Sequence, residues 1–454
     1  MTALGLSDII WLIGESRERP FHVGGLLLFD LPQGLEPADV RAAMRSADAP
    51  VQHPFDQRLA RPYGRAGRFR WVDDEVDLEH HVRHVALPAP GRIRELLAYV
   101  SQQHGSLLDR HRPLWEAVLI EGVEGDRIAL YTKVHHAMID GVGAMRQLTH
   151  ALSTDADERD MPPPWSTPPR PRRRRDGLDT SVVQQALDLV ATSVREGLGA
   201  ATTVAKLGAQ VVAGASGGPE VVPYAAPRSM LNVRTTSARR IVAQSYDIDR
   251  FRGIATRYDA TVNDVVLAVC GGALRAYLQS HDALPDDPLV AFVPVSIRTS
   301  DGDDAANAVS MMLASLATDV GEPVERLERV KASMSAGKAR LAGMSQTQLV
   351  EYAALLLAPM ATSQVLRVGV GQRPLFNVVI SNVPGPREPL YWNGAQLTGM
   401  YPLSAIADGY ALNITLVSYA GSLEFGITAD RTALPRVQRL IDHIEDAVAE
   451  LEAT

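Results

Sequence analysis

Between Pro162 and Arg175 the chain carries Pro162-Pro163-Pro164, Pro168-Pro169, Pro171 and four consecutive arginines, Arg172–Arg175. Prolines fix φ and remove amide donors, and adjacent like charges repel, so no packed element can run through this stretch. It reads as a linker. The chain it interrupts has 454 residues, more than a single hydrophobic core usually serves, so two domains are expected. The predicted division is a first domain over 1–160, a Pro/Arg-rich linker with a long helix over 161–230, and a second domain over 231–454. The helix is the alanine-rich, weakly amphipathic stretch Ser181 to Gly214, closed by a Gly/Pro/Ser-rich break that runs to Pro227.

Hydrophobic periodicity places helices and strands in both halves. Val23 to Phe29 reads as a buried strand after Pro20, Ile93 to Gln103 has helical spacing, and Trp115 to Ile120 reads as a strand. Arg127 to Val134 alternates, with Ile128, Leu130, Thr132 and Val134 on one face. In the second half, helices are predicted over Val262–Gln279 and Pro323–Leu341, and strands over Leu289–Pro294, Asn377–Ile380 and Leu412–Ser418. Interspersed elements of both kinds predict a mixed α/β fold.

Composition excludes several classes. A formal charge of -8 carries no nucleic-acid footprint, so no nucleic-acid partner is expected. Cys270 is the only cysteine, which rules out an internal disulfide and a multi-cysteine metal site and suits a reducing cytoplasm. The opening residues Met1 to Asp8 lack a basic region, so a secretory signal is not expected. The longest apolar stretch, Ala353 to Leu366, contains Pro359 and ends at Arg367, short of the ~18 residues of a spanning helix.

The sharpest local feature is His135-His136-Ala137-Met138-Ile139-Asp140-Gly141, at the end of the alternating strand. If the strand persists, adjacent histidines point to opposite faces, one to substrate and one into the structure. A neutral imidazole can activate a hydroxyl near pH 7 and then return the proton to a departing thiolate. Asp140 could act directly or hold the turn by pairing with an arginine, and Gly141 permits backbone shapes that other residues resist. Paired histidines at a strand end also serve as hydrogen-bonded structural residues or metal ligands. No further ligands stand at suitable spacing, which disfavours metal. Spacing alone leaves catalysis and structure both open.

The surrounding motifs resemble the bacterial wax ester synthase/diacylglycerol O-acyltransferase family, within the CoA-dependent acyltransferase superfamily. They run in order from Glu15-Ser16-Arg17-Glu18-Arg19-Pro20-Phe21-His22-Val23-Gly24-Gly25 to Asp109-Arg110-His111-Arg112-Pro113-Leu114-Trp115-Glu116, then the histidine motif. Thr261 to Ala268, with its Asn263-Asp264 pair, Pro294-Val295-Ser296-Ile297-Arg298 and Ser381-Asn382-Val383-Pro384-Gly385-Pro386 complete the set. The likeness spans nearly the whole chain. Departures are Trp11 where phenylalanine is usual, Gly5 where serine or threonine is common, and Ala306 in place of a glycine before Asn307.

The resemblance implies two chloramphenicol-acetyltransferase-like domains with mixed sheets, joined by a crossover linker, with the site between them. It implies His136 as general base, His135 in support, and Asp140 and Gly141 as structural. Asn263, Asp264, Pro113, Leu114 and Trp115 become substrate-channel candidates. Each also has a packing or capping explanation, and Asn263-Asp264 stands where a helix cap would be. The implied reaction is direct transfer from acyl-CoA, a co-substrate, to diacylglycerol or a fatty alcohol. It needs no bound cofactor, no metal and no acyl-enzyme. The expected setting is cytoplasmic, with peripheral contact to a membrane or lipid inclusion aided by Arg172–Arg175. The alternatives are a catalytically silent lipid-binding or lipid-body protein and an acyltransferase that uses a carrier-protein-bound donor.

Overall fold

The computed structural model describes residues 2–4, 6–32, 34–45, 49–60, 69–168, 221–298, 307–342, 344–345, 348–354, 356–357 and 373–454. The expected helix Ser181–Gly214, the run Arg172–Arg175 and most of Ala353–Leu366 lie outside them. In chain order the strands of the first half are β1 (Thr2–Ala3), β2 (His22–Asp30), β3 (Gln57–Ala60), β4 (Arg70–Asp73), β5 (Val82–Ala86), β6 (Trp115–Val123) and β7 (Arg127–His135). Those of the second half are β8 (Arg239–Asp247), β9 (Val290–Arg298), β10 (Asn307–Ser315), β11 (Val378–Val383), β12 (Tyr391–Trp392), β13 (Ala395–Leu403), β14 (Leu412–Tyr419) and β15 (Ser422–Asp430).

They form two six-stranded sheets, β12-β13-β2-β7-β6-β5 and β10-β9-β11-β14-β15-β8, and a small β1-β4-β3 sheet. Both large sheets are mixed: β5 runs parallel to β6, and β11 runs parallel to β9 and β14. The predicted mixed α/β class is what the chain adopts.

The first sheet is buried on both faces, and side-chain alternation sorts its residues. Val23, Leu27 and Phe29 of β2 and Ile128, Leu130 and Val134 of β7 share one core with Met145 and Leu148 of the helix Gly141–His150. Leu26 and Leu28 of β2 and Ala129 and Tyr131 of β7 face the other way. They meet Leu96 and Val100 of the helix Ile93–His104, and Ile241 and Ala243 of β8. That second core joins the two halves. Truncating Leu27, 1% exposed, to alanine is expected to cost about 2–5 kcal/mol.

The sheets also exchange chain. β13 follows β11 in sequence, yet it pairs antiparallel with β2, Leu397 opposite Phe29 and Leu403 opposite Gly24. Residues 391–403, which the sequence division assigns to 231–454, thus complete the sheet built from 1–160. Where β13 passes over β15, a Cβ at Gly426 would collide with the Pro402 carbonyl, so only glycine lets the sheets approach this closely.

The second sheet packs on Val262–Gln279, whose neighbours are the helices Ile248–Arg257, Pro323–Ala342 and Leu440–Ala453. Among the described residues no single helix is long and apolar enough to cross a membrane. Only the pair Ile248–Arg257 and Val262–Gln279, bent by 101°, has the composition. Val262–Gln279 buries thirteen of its residues inside the protein, which accounts for its apolarity.

Candidate active site

β7 ends at His135, and the chain leaves it in a turn closed by the amides of Met138 and Ile139 on the His135 carbonyl, at 2.9 and 3.3 Å. The turn, not strand alternation, separates the two histidines. His135 is fully buried; its Nδ1 accepts from the Ala137 amide at 3.0 Å, so the ring proton sits on Nε2. Nε2 lies 3.3 Å from Oε1 of Glu15.

Glu15 is itself buried and heavily used. Oε1 accepts from the Phe21 amide at 3.1 Å, and Oε2 takes a fork from Arg110, Nε at 3.1 Å and Nη2 at 2.8 Å. Burial acts to raise this carboxyl, but His135, Arg110 and the Phe21 amide together hold it below its ordinary value. Arg110 also donates to the Leu12 carbonyl at 2.7 Å, and the His135 amide donates to the Leu114 carbonyl at 2.9 Å. Nδ1 of His135 is therefore committed, while its buried Nε2 faces the Glu15 carboxylate at ion-pair distance without a hydrogen bond; this gives its supporting role a definite form.

His136 is held differently. Its amide donates to the Phe21 carbonyl at 2.9 Å, and its half-buried ring stacks on Trp11, with centroids 4.3 Å apart and planes at 29°. Phe21 meets Trp11 edge-on at 5.2 Å. Burial lowers the imidazole pKa, Asp140 opposes that shift, and His135 adds to it, for a net value below the ordinary one. The ring is thus neutral, clamped in orientation, and free of hydrogen bonds to other side chains among the described residues.

Asp140 caps the helix Gly141–His150, its Oδ1 accepting from the Gly143 amide at 2.6 Å. Among the described side chains no arginine pairs with it, and the role it has there is that of a helix cap. Gly141 is an ordinary first helical residue without positive φ, and a Cβ there would meet only Val23 at 3.9 Å. The tight position is Gly143, where a Cβ would come within 3.0 Å of Ile139 and 3.1 Å of Asp140.

Asp264 forms a capping box with Thr261. Its Oδ2 accepts from the Thr261 amide at 2.9 Å and hydroxyl at 2.6 Å, while its own amide donates to Thr261 Oγ1 at 3.2 Å. Its Oδ1 is buried without a partner, and Asn263 is half-buried at the same helix start. Pro113, Leu114 and Trp115 are buried behind the histidine turn. Trp115 donates from Nε1 to the Phe55 carbonyl at 2.8 Å and stacks on His81 at 4.6 Å. Cys270 is fully buried, its thiol pushed up to about 12 by burial.

Two family profiles match this chain, the wax ester synthase/diacylglycerol acyltransferase catalytic domain over residues 4–266 and the WS/DGAT C-terminal domain over 305–452. The chain belongs to the wax ester synthase/diacylglycerol acyltransferase family. It is 45% identical over 446 residues to O-acyltransferase WSD of Acinetobacter baylyi, covering 97% of this chain and 95% of that one. The solved wax ester synthase/diacylglycerol acyltransferase of Marinobacter aquaeolei VT8 superposes with a TM-score of 0.82 at 44% identity, over 100% of this chain and 99% of the other. The starter condensation domain of rhizomide synthetase shares the fold alone, with a TM-score of 0.55 at 15% identity over 100% and 94% of the two chains.

Within this wax ester synthase/diacylglycerol acyltransferase site, sequence reasoning missed the roles of Glu15, Arg110 and Trp11. Glu15 and Arg110 stand inside two of the segments quoted for the family, but nothing in one sequence shows that they meet. A buried-type carboxylate two segments away from a basic residue is no signal until the fold joins them. Trp11 stood out only as a departure from phenylalanine.

Proposed function

We propose that the chain transfers the acyl group of a long-chain acyl-CoA to the hydroxyl of diacylglycerol, forming triacylglycerol, and accepts long-chain fatty alcohols as well, forming wax esters. The observation that carries this reading is the division of labour at the histidine pair. His135 is fully buried, its Nδ1 taken by the Ala137 amide and its Nε2 turned to the Glu15 carboxylate, while His136 is half-buried, neutral, oriented by Trp11 and free of hydrogen bonds to other side chains among the described residues. His136 takes the acceptor's hydroxyl proton as the oxygen attacks the thioester carbonyl. The tetrahedral intermediate collapses, the carbon–sulfur bond breaks, and the proton passes to the thiolate, so that ester and free CoA leave. A lowered pKa keeps the imidazole unprotonated near neutrality, which suits a base.

Both substrates are amphiphiles, so the reading includes peripheral contact with a membrane or lipid-inclusion surface from the cytoplasmic side, with Arg172–Arg175 near anionic headgroups.

Labelled palmitoyl-CoA supplied with diacylglycerol, monoacylglycerol, hexadecanol or no acceptor tests the reaction and the acceptor together. Labelled triacylglycerol and hexadecyl palmitate are expected in their arms, with no labelled ester in the arm without acceptor. No ester in any arm, from a folded protein, refutes the proposal.

A further inference from the structure

A cavity of about 570 Å³ opens between the end of the helix Ile93–His104 and the start of β8, a size typical of small-molecule sites. Arg17, Arg239, Arg240 and Arg431 line it, and no aspartate or glutamate does. Arg239 is only 4% exposed; it donates through Nη1 to the Thr236 carbonyl, while Nη2 is buried with no hydrogen-bond partner. Asp430 lies opposite Arg239 in the β8–β15 pair, but its oxygens accept from Thr236, Thr432 and Ala433 instead. Burial pushes the Arg239 guanidinium down to about 10, so it remains a cation at neutral pH. Arg17, Arg240 and Arg431 make no ion pair with a described residue. The lining thus carries four arginines and no carboxylate, with Asp430 and Asp408 acting on Arg239 through space from outside it, and a wall of this charge favours an anion.

The cavity sits at the same end of the first sheet as the base. Lys133, on the strand that ends at His135, donates to the carbonyls of Gln103 and Ser106 at 3.2 Å each, and Ser106 lines the cavity. His22, opposite His135 in the β2–β7 pair, places its Nε2 2.6 Å from the His104 carbonyl. The far wall comes from the second half, where the Ile241 amide donates to Ser101 at 2.8 Å. A Cβ on Gly105 would collide with the Ser237 carbonyl, so that wall closes only over glycine.

We infer that this arginine-lined cavity holds the phosphate-bearing end of the acyl donor, the adenosine 3′,5′-bisphosphate portion of acyl-CoA, while the thioester reaches His136. The inference rests on the acyl-CoA reading above. Guanidinium groups bind phosphate oxygens in bidentate, charge-assisted pairs, and an unsatisfied buried Nη2 is such a donor already in place.

The test compares wild type with Arg240→Ala and Arg431→Ala, neither of which removes a described ion pair, after thermal unfolding confirms that they fold. Adenosine 3′,5′-bisphosphate, unphosphorylated adenosine, inorganic phosphate and vesicles containing phosphatidic acid are titrated calorimetrically. Each variant is expected to bind the bisphosphate roughly tenfold or more weakly than wild type, the scale of a lost charged hydrogen bond, with no binding of adenosine by any protein. In kinetics, the wild-type preference for palmitoyl-CoA over palmitoyl-pantetheine is expected to shrink by a similar factor. Equal bisphosphate affinity in wild type and variants overturns the inference. So does arginine-dependent binding of phosphatidic acid or inorganic phosphate without binding of the bisphosphate. Should wild type transfer no acyl group from either donor, the proposed function falls, and the calorimetric arms still decide the cavity.

Discussion

Removing the Glu15 carboxylate is expected to unsettle both stability and turnover, by amounts that follow from its partners. In Glu15→Ala, the Phe21 amide loses an acceptor 3.1 Å away in a buried site, at about 1–3 kcal/mol, and His135 Nε2 loses the carboxylate it faces at 3.3 Å without a hydrogen bond, at about 1 kcal/mol. Arg110 loses its fork, but its side chain is 35% exposed and keeps the Leu12 carbonyl, so water softens that loss. The sum is about 2–4 kcal/mol, overlapping the range for breaking one side of a buried charged network. Glu15→Gln keeps one acceptor oxygen and should cost less, about 1–3 kcal/mol. Since His135 orients the turn that carries His136, an ångström-scale shift is expected to lower kcat by about 10²-fold in the alanine variant. The charge also has a pH signature. The folded carboxyl lies below its ordinary 4.5, so its stabilisation is full above that value and is lost as pH falls through the folded value. Glu15→Gln should lack that acid loss. Urea unfolding followed by tryptophan fluorescence, with turnover of palmitoyl-CoA and diacylglycerol, reads both effects. Stability within about 0.5 kcal/mol of wild type and unchanged turnover in both variants would refute the network's role.

Four further outcomes are expected. His136→Ala should lower kcat by ~10²–10⁴-fold with wild-type unfolding, while His135→Ala should lose stability and keep more activity, as paired melting and rate measurements would show. The acid limb of kcat/KM should have its midpoint below the ordinary histidine value of 6.5, and Asp140→Asn, which retains a capping side chain, should move it lower still by removing the opposing charge. Asp140→Ala, by contrast, should cost about 1 kcal/mol of stability through the lost cap. His22 and His104 are held neutral well below 6.5 by burial, so the unfolded chain takes up protons first, and unfolding free energy should decline as pH falls below 6.5. Anionic liposomes should float wild type at low salt and less at high salt, and replacing Arg172–Arg175 with serine should remove most of that difference; equal flotation at every salt concentration would leave the run as a solvated linker.

Much of this architecture is legible in local pattern. Val262–Gln279 follows from a capping threonine and a continuous apolar run, and Arg127 to Val134 from clean alternation. β13 leaves no such trace, because Gly399 interrupts its alternation at a bulge and Pro402 cannot donate. β8 and β15 also escape, since polar residues such as Gln244, Ser245 and Thr428 fall among their apolar ones. At the site, the histidine turn is a contiguous motif and so is readable. The Glu15–Arg110–His135 assembly joins three segments that only the folded chain brings together, and the role of Asp140 depends on which amide it reaches.

The exchange of β13 into the first sheet sets an order on synthesis. β2 finishes at Asp30, but the strand that covers its outer edge is complete only at Leu403. At about 5–20 residues per second, the ribosome leaves that edge open for roughly 20–75 s. During this interval the nascent chain presents Leu26 to Phe29 beside unpaired amides and carbonyls, a template for any passing strand. Yield of soluble protein should therefore depend on what shields the emerging chain, and a polypeptide cut before residue 391 should aggregate however well its own histidine turn is encoded.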